Sequence, residues 1–329
     1  MAGRKTNQDG ERAGVALTHL DDALFDGASA TKRDLVDYLD AVSGPIIAAL
    51  ADRPLSVIRV RPGQEPFMQK NVPKYTPDFV ATVTVWSESS RREVAYALCD
   101  DRRTLLWFAN QRAVEYHPTL MRVGHLDEPD FLILDIDPPQ GAGFEVVVEA
   151  ALLVREALTG AGLEGAVKTS GSKGVHVFVP LAPGQSAVDA AAATRAIAAR
   201  AERLAPDVAT TAFIREDRGG KVFIDSTRAG GATVAAAYSP RVRAGTTVSF
   251  PLDWDELPDS KPADFTVHTA AGLLGGRDRW AELLPGPVPL PADLVAEGHD
   301  IPVHRVAAMH EGKRRARARR GADTEGTAG

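Results

Sequence analysis

The sequence predicts an α+β fold in which mixed β-sheets are flanked by helices. Three observations carry that expectation. First, Phe131-Leu-Ile-Leu-Asp-Ile-Asp137 reads as a strand that is buried until its last residues, and Pro138 and Pro139 end it. Second, helical periodicities over residues 144–158 and 187–204 stand among strand-like runs at 80–86, 92–99, 167–180 and 221–225. Third, these strands and helices do not alternate as strict βαβ units, which disfavours a doubly wound sheet.

Composition sets the outer limits. The chain has 329 residues, 44% of them hydrophobic, enough for a sizeable core in one large or two smaller domains. No apolar run approaches the roughly 20 residues of a membrane helix, and the polar stretch from Met1 to Arg12 does not resemble a signal, so the cytosol is the expected compartment. A single cysteine, Cys99, excludes an internal disulfide and a cysteine-based zinc site. Net charge is −6, yet Lys313, Arg314, Arg315, Arg317, Arg319 and Arg320 crowd near the C-terminus. Setting those six cations aside leaves −12, so a polyanion must be met by local basic patches.

In chain order, residues 1–14 read as a disordered lead. Thr31 and Asp34 form a capping-box pattern ahead of Leu35, Leu39, Val42, Ile46 and Leu50, predicting a helix over 32–50 disturbed near Pro45. Five prolines punctuate residues 53–78, which predicts an extended loop or an irregular surface connection; its Arg59, Arg61, Lys70, Lys74, Phe67 and Tyr75 mix cations with aromatics, as phosphates and bases require. A hairpin is expected from 80–86 and 92–99, then a helix from Leu105 to Val114 ending near His117-Pro118. Ser186 and Asp189 cap the helix at 187–204. Residues 285–310 are a Pro-rich strap or spacer, and 311–329 a disordered basic tail that adds salt-sensitive nucleic-acid affinity. The folded unit is therefore placed at 15–284.

Three stretches carry chemistry. Asp135 and Asp137, spaced i, i+2, lie on one sheet face, where two adjacent carboxylates call for a hard divalent cation such as Mg²⁺ or Mn²⁺. Alone, an Asp-x-Asp is equally a solvated pair at a strand end. In Lys168-Thr-Ser-Gly-Ser-Lys-Gly-Val-His-Val-Phe-Val-Pro180, Gly171 and Gly174 let backbone N–H groups converge on an anion, with Ser170, Ser172 and Lys173 as further donors and His176 placed to reach a phosphate. It is not a Walker loop, and an ordinary hairpin with a half-buried histidine is the structural alternative. In Arg218-Gly-Gly-Lys-Val-Phe-Ile-Asp225, Asp225 ends a short strand where a third carboxylate completes a two-metal site, provided the strands are neighbours.

Read together and in this order, the three stretches resemble the motifs of the archaeo-eukaryotic primase superfamily, and most closely the polymerase domain of bacterial ligase D and its stand-alone relatives. The likeness extends to Thr31-Lys-Arg-Asp-Leu-Val-Asp-Tyr-Leu39, Ala113-Val-Glu-Tyr-His-Pro118 and Ala237-Tyr-Ser-Pro-Arg-Val-Arg243, covering about residues 15 to 270. The resemblance implies a template-dependent primase-polymerase with a primase-like α+β catalytic domain and two Mn²⁺ or Mg²⁺ ions on Asp135, Asp137 and Asp225. It also implies nucleotide binding by Ser170, Ser172, Lys173 and His176, with His117 near the sugar, Arg241 and Arg243 on phosphates, and Phe67, Lys70 and Arg228 as further contacts.

Arg33, Arg59 and Arg61 are further DNA-contact candidates, and by the same resemblance Lys32 matches one of two lysines that grip a downstream 5′-phosphate. Asp22 stands where the other is expected, and Arg228 and Thr233 stand where relatives carry glutamine and lysine. Implied partners are primer-template or gapped DNA, ribo- or deoxyribonucleoside triphosphates, and a separate ligase and Ku, with the chain a monomer near the nucleoid and a preference for ribonucleotides. Rival readings are a non-catalytic DNA-end scaffold, a metal-dependent nuclease and a sugar-nucleotide transferase.

Overall fold

Residues 8–87, 91–228 and 233–303 are described by the structure, a computed structural model. Its centre is a six-stranded sheet whose order is Ala209–Thr210, Val222–Asp225, Phe131–Asp137, Val175–Pro180, Ala166–Thr169 and Pro251–Leu252. The strand Phe131–Asp137 is antiparallel to both neighbours, and the sole parallel pairing in this sheet joins Ala209–Thr210 to Val222–Asp225. Leu132, Leu134 and Ile136 on one side of the central strand are fully buried, while Asp135 and Asp137 alternate with them and face the other way. The helices Glu145–Gly160 and Ala187–Leu204 bury apolar stripes against each other and this sheet.

A second sheet holds Gln64–Gln69, Leu55–Arg61, Arg92–Ala97 and Thr82–Ser87, with Ala113–Pro118 also paired to Leu55–Arg61. Residues 234–250 join the two sheets through the backbone. Ala236 N–H donates to Tyr116 O in one, and Thr169 N–H reaches Phe250 O in the other.

Several expectations need correction. Residues 8–14 were expected to be unstructured, but Gln8–Arg12 pairs with Val15–Thr18, and Arg12 makes ion pairs to Asp37 and Asp40. The helix at 32–50 is two helices, Lys32–Ala41 and Ser43–Leu50, split at Val42. Pro45 is the cause, acting one turn upstream: its ring excludes a helical carbonyl at residue 41, and within the first turn of the new helix its missing N–H costs nothing. The Pro-rich segment is an antiparallel hairpin, because Pro62 and Gly63 make its turn and Pro66 lies on the edge strand, where no N–H is required. Helix Arg102–Asn110 stops before Val114, and 113–118 is a strand entered through Arg112 at φ 57°.

Residues 285–303 are no spacer. Val288 exchanges backbone hydrogen bonds with Pro180 and Ala182, as a strap should. The helix Ala292–Asp300 then docks on Ala187–Leu204 so closely that a Cβ on Gly298 would lie 1.9 Å from Ala192 O. Arg200 and Arg203 pair with Glu297 across that contact. The basic tail at 311–329 lies outside the described residues. No helix among the described residues is long and apolar enough to cross a membrane.

Candidate active site

The antiparallel register sets four side chains in one row across four strands. Asp225 stands opposite Asp135, Asp135 opposite His176, and His176 opposite Lys168. All four are buried, with exposures of 7% or less. Asp137 lies two residues beyond Asp135 on the same face and keeps partial exposure. Asp225, from a separate segment of the sequence, is thus brought beside the Asp135–Asp137 pair.

Lys168 is the residue that sequence reasoning missed. Its Nζ donates to His176 Nδ1 at 2.7 Å, to Ala235 O at 2.9 Å and to Ser249 Oγ at 2.6 Å. Ser249 Oγ spends its own proton on Thr169 O, so it can only accept from the lysine. Three acceptors require three N–H donors, which is the ammonium form, although burial presses the Lys168 pKa well down. The lysine at Nδ1 leaves the histidine proton on Nε2, which faces Asp135 Oδ1 at 3.3 Å. Burial and then the Lys168 charge push His176 down to about 4, so it is neutral at physiological pH.

Both ring nitrogens of His176 therefore have protein partners. The expected phosphate donor is instead a link between Lys168 and Asp135. Burial alone would raise the Asp135 pKa, but His176, Arg228 and Lys168 outweigh it and hold the carboxyl at about 2. At Asp137 the balance tips the other way, although Arg228 and Arg218 oppose the shift. Burial and the neighbouring Asp135 raise it to about 6.

Beside Asp137 lies the glycine turn. Gly171 has φ 68°, and a Cβ there would meet Ser249 N at 2.7 Å; at Gly174 it would meet Ile136 O at 2.1 Å. These close approaches press the turn against the segment at 248–249 on one side and the end of the central strand on the other, and only glycine permits them. Ser170 Oγ accepts from the N–H groups of Ser172 and Gly174, each at 3.2 Å, so this hydroxyl shapes the turn from within. Lys173 is exposed at its tip. Arg241 donates to Ser170 O, and Arg243 Nε donates to Ser172 Oγ at 3.0 Å.

Glu115 is a second residue that the sequence did not single out. It is buried on the strand Ala113–Pro118, and its Oε2 lies 2.8 Å from His117 Nε2 and 3.0 Å from Arg241 Nε. Its Oε1 accepts from Val242 N–H at 2.9 Å. Burial opposes ionisation here, yet His117 and Arg241 prevail and bring Glu115 down to about 2. One carboxylate thereby ties the histidine expected near the sugar to the arginine under the glycine turn. A buried Glu two residues before His117 was the available signal.

The remaining expected residues divide. Arg228 lies on Asp135 and Asp225, not on the glycine turn. Phe67 is half-buried on the hairpin beneath the guanidiniums of Arg59 and Arg61, with Lys70 exposed just beyond it. Arg59 is buried and donates to Gln111 O, Gln111 Oε1, Gln69 Oε1 and Tyr75 Oη, which leaves it poorly placed for DNA. Lys32 is buried as well, its ammonium donating to Thr18 O and Asn110 Oδ1, so the expected 5′-phosphate grip is corrected to an internal tether. Asp22 pairs with Arg112, and Arg33 with Asp21 at the surface.

The donor chemistry suits hard divalent ions, since three carboxylates share one face and Asp137 is raised by burial first and then by its charged neighbours. Among the described residues no three acidic or histidine side chains already converge as a metal cage. The guanidinium of Arg228 stands between two of the carboxylates.

Comparison with known proteins fits this geometry. The LigD primase-polymerase domain model matches residues 31–280. The bifunctional non-homologous end joining protein LigD of Bacillus subtilis is 33% identical over 260 residues, 78% of this chain and 41% of that protein. The multifunctional non-homologous end joining DNA repair protein LigD of Mycobacterium tuberculosis is 33% identical over 74% of this chain and 34% of its own length. The chain thus spans about two fifths or less of these relatives. The solved polymerase domain of Mycobacterium tuberculosis ligase D in complex with DNA superposes with a TM-score of 0.74 at 29% identity, covering 88% of this chain and 99% of that one. A match across three quarters of the chain, carried by the same archaeo-eukaryotic primase-like fold, shows that this chain belongs to the LigD primase-polymerase domain family of DNA-directed nucleotidyltransferases.

Proposed function

We propose that the chain is a template-dependent polymerase that adds nucleotides, ribonucleotides by preference, to primer ends and short gaps during end joining or excision repair. The observation that carries this reading is the cross-strand pairing of Asp135 with Asp225, with Asp137 and the glycine turn alongside. Asp135, Asp137 and Asp225 would hold two Mn²⁺ or Mg²⁺ ions. Bound there, such ions supply acidification of a primer 3′-hydroxyl and neutralisation of a leaving pyrophosphate.

The chain's own residues do the positioning. Lys168 fixes the tautomer of His176, and His176 fixes the rotamer of Asp135. Lys173, Arg241, Arg243 and Ser172 surround the turn where a triphosphate is to lie, and Glu115 keeps Arg241 and His117 in register. Phe67, Lys70 and Arg61 offer a stacking and phosphate surface for DNA on the second sheet. The catalytic unit is 15–284, buttressed by the helix Ala292–Asp300. In this reading the protein is cytosolic, monomeric and nucleoid-associated, with a DNA ligase and Ku as partners.

The test is extension of labelled gapped duplex with Mn²⁺ and either ribo- or deoxyribonucleotides. Lengthening with ribonucleotides preferred is expected. Shortening of the primer, or binding without extension, overturns the reading in favour of a nuclease or a scaffold.

A further inference from the structure

Arg228 occupies a telling position. Its Nε lies 3.2 Å from Asp225 Oδ2 and 3.2 Å from Asp135 Oδ2, and its Nη2 lies 3.1 Å from the same Asp135 oxygen. One guanidinium therefore bridges the two carboxylates that face each other across neighbouring strands. Among the described residues three cations act on this acidic cluster. Lys168 is held by three acceptors, and Arg218 is held by Ala212 O, Phe213 O and the ring of Phe223, 3.6 Å away. Arg228 differs, because the two carboxylates are its described partners and its side chain is 36% exposed.

We propose that Arg228 is a built-in counter-cation of this site: it neutralises Asp135 and Asp225 in the resting protein and must swing out before divalent ions can bind. The inference rests on the reading of those two residues as metal ligands. A carboxylate oxygen coordinates a hard ion through the same lone pairs that accept from a guanidinium, and two cations cannot both lie against one oxygen without strong repulsion. Loading the site therefore includes the work of breaking the arginine's ion pairs, and metal affinity falls by that amount. Partial exposure makes the movement feasible, since leaving the carboxylates disturbs little packing. A guanidinium released from the carboxylates is free to pair with an incoming triphosphate, so nucleotide and metal should assist each other's binding.

The experiment is titration of the full chain with Mn²⁺ alone, following free Mn²⁺ by electron paramagnetic resonance, for wild type, Arg228→Gln, Arg228→Lys and Asp225→Asn. Arg228→Gln should bind Mn²⁺ about fivefold to tenfold more tightly, the size expected for removing a half-exposed ion-pair competitor. Arg228→Lys, which keeps the charge but cannot fork between two carboxylates, should fall in between. Melting with and without Mn²⁺ confirms that each variant folds, and the rise on adding Mn²⁺ should be larger for Arg228→Gln than for wild type. Unchanged or weaker Mn²⁺ binding by Arg228→Gln overturns the proposal. If Asp225→Asn binds as wild type does, the carboxylates are not metal ligands, and the functional reading fails with it.

Discussion

Among the described residues two lysines are buried, Lys168 at 0% and Lys32 at 2% exposure, and they serve different ends. Each ammonium is directed inward onto hydrogen-bond acceptors, as a buried charge must be. The partners of Lys32 include a backbone carbonyl and the amide of Asn110, which in turn accepts from Thr18 N–H and donates to Ala16 O. That network ties the first helix to an N-terminal strand. The partners of Lys168 include an imidazole whose other nitrogen faces Asp135, so the same kind of burial reaches the reacting groups. A buried cation is informative through what its partner touches next.

The largest effect that would break this contrast concerns the far end of the Lys168 row. Asp135→Ala or Asp225→Ala should lower primer extension by about a thousandfold or more while leaving DNA affinity within about twofold, because the loss falls on transition-state charge. Primer extension near the wild-type rate by either variant would sink the assignment. Next comes Lys168→Met, which fills the volume but leaves His176 Nδ1 without its donor. A fall in kcat on the order of tenfold to a hundredfold is expected with KM for nucleotide nearly unchanged, since orientation of a carboxylate is lost and the triphosphate contacts remain. Nitrogen NMR of the imidazole should show the tautomer mixture that wild type lacks.

That Lys168 had to be found in the structure shows what was legible in the sequence. The alternation of Asp135 and Asp137 with Leu134 and Ile136 is local, so the shared face of the two carboxylates could be read from spacing. Gly171 and Gly174 advertised a turn for the same reason, and the helix at 187–204 appears with the bounds its periodicity predicts. Lys168, Glu115 and Arg228 take their meaning from partners up to 127 positions away, supplied by strand register and by the crossing segment at 234–250. Lys32 misled for the same reason, since its neighbour Asn110 lies 78 positions along the chain. The prolines of 53–78 misled differently: a turn and an edge strand tolerate them as well as a loop does.

Glu115 offers a test of the link between the sheets. Its pKa in the fold is about 2, against an unfolded value of 4.5, so the folded state favours the ionised form. That stability is present in full above pH 4.5 and is lost as pH falls through 2. The shift corresponds to about 3 kcal/mol at most. Urea titrations of wild type between pH 5 and 2 should show a decline that Glu115→Gln reduces. The variant should also raise KM for nucleotide, because Arg241 then loses the anion beside it. An unaltered acid profile would mean that the carboxylate does not join the two sheets energetically.

The smallest expected effects sharpen the lysine comparison most, because they separate stability from binding. Lys32→Met removes the ammonium donor from Thr18 O and one of the two donors of Asn110 Oδ1, and the loss of these half-buried contacts should destabilise the fold by about 1–3 kcal/mol. Catalysis per folded molecule should stay within about twofold, and the preference for a 5′-phosphate at the gap should not change, since the ammonium has no outward face. Lys173→Ala should do the opposite. Its exposed side chain adds little to stability, within about 0.5 kcal/mol, but the loss of a phosphate-facing charge should raise KM for nucleotide several-fold. If Lys32→Met instead weakens binding of 5′-phosphorylated gaps at unchanged melting temperature, the buried ammonium must turn outward when DNA arrives, and burial in the resting fold ceases to distinguish a tether from a ligand.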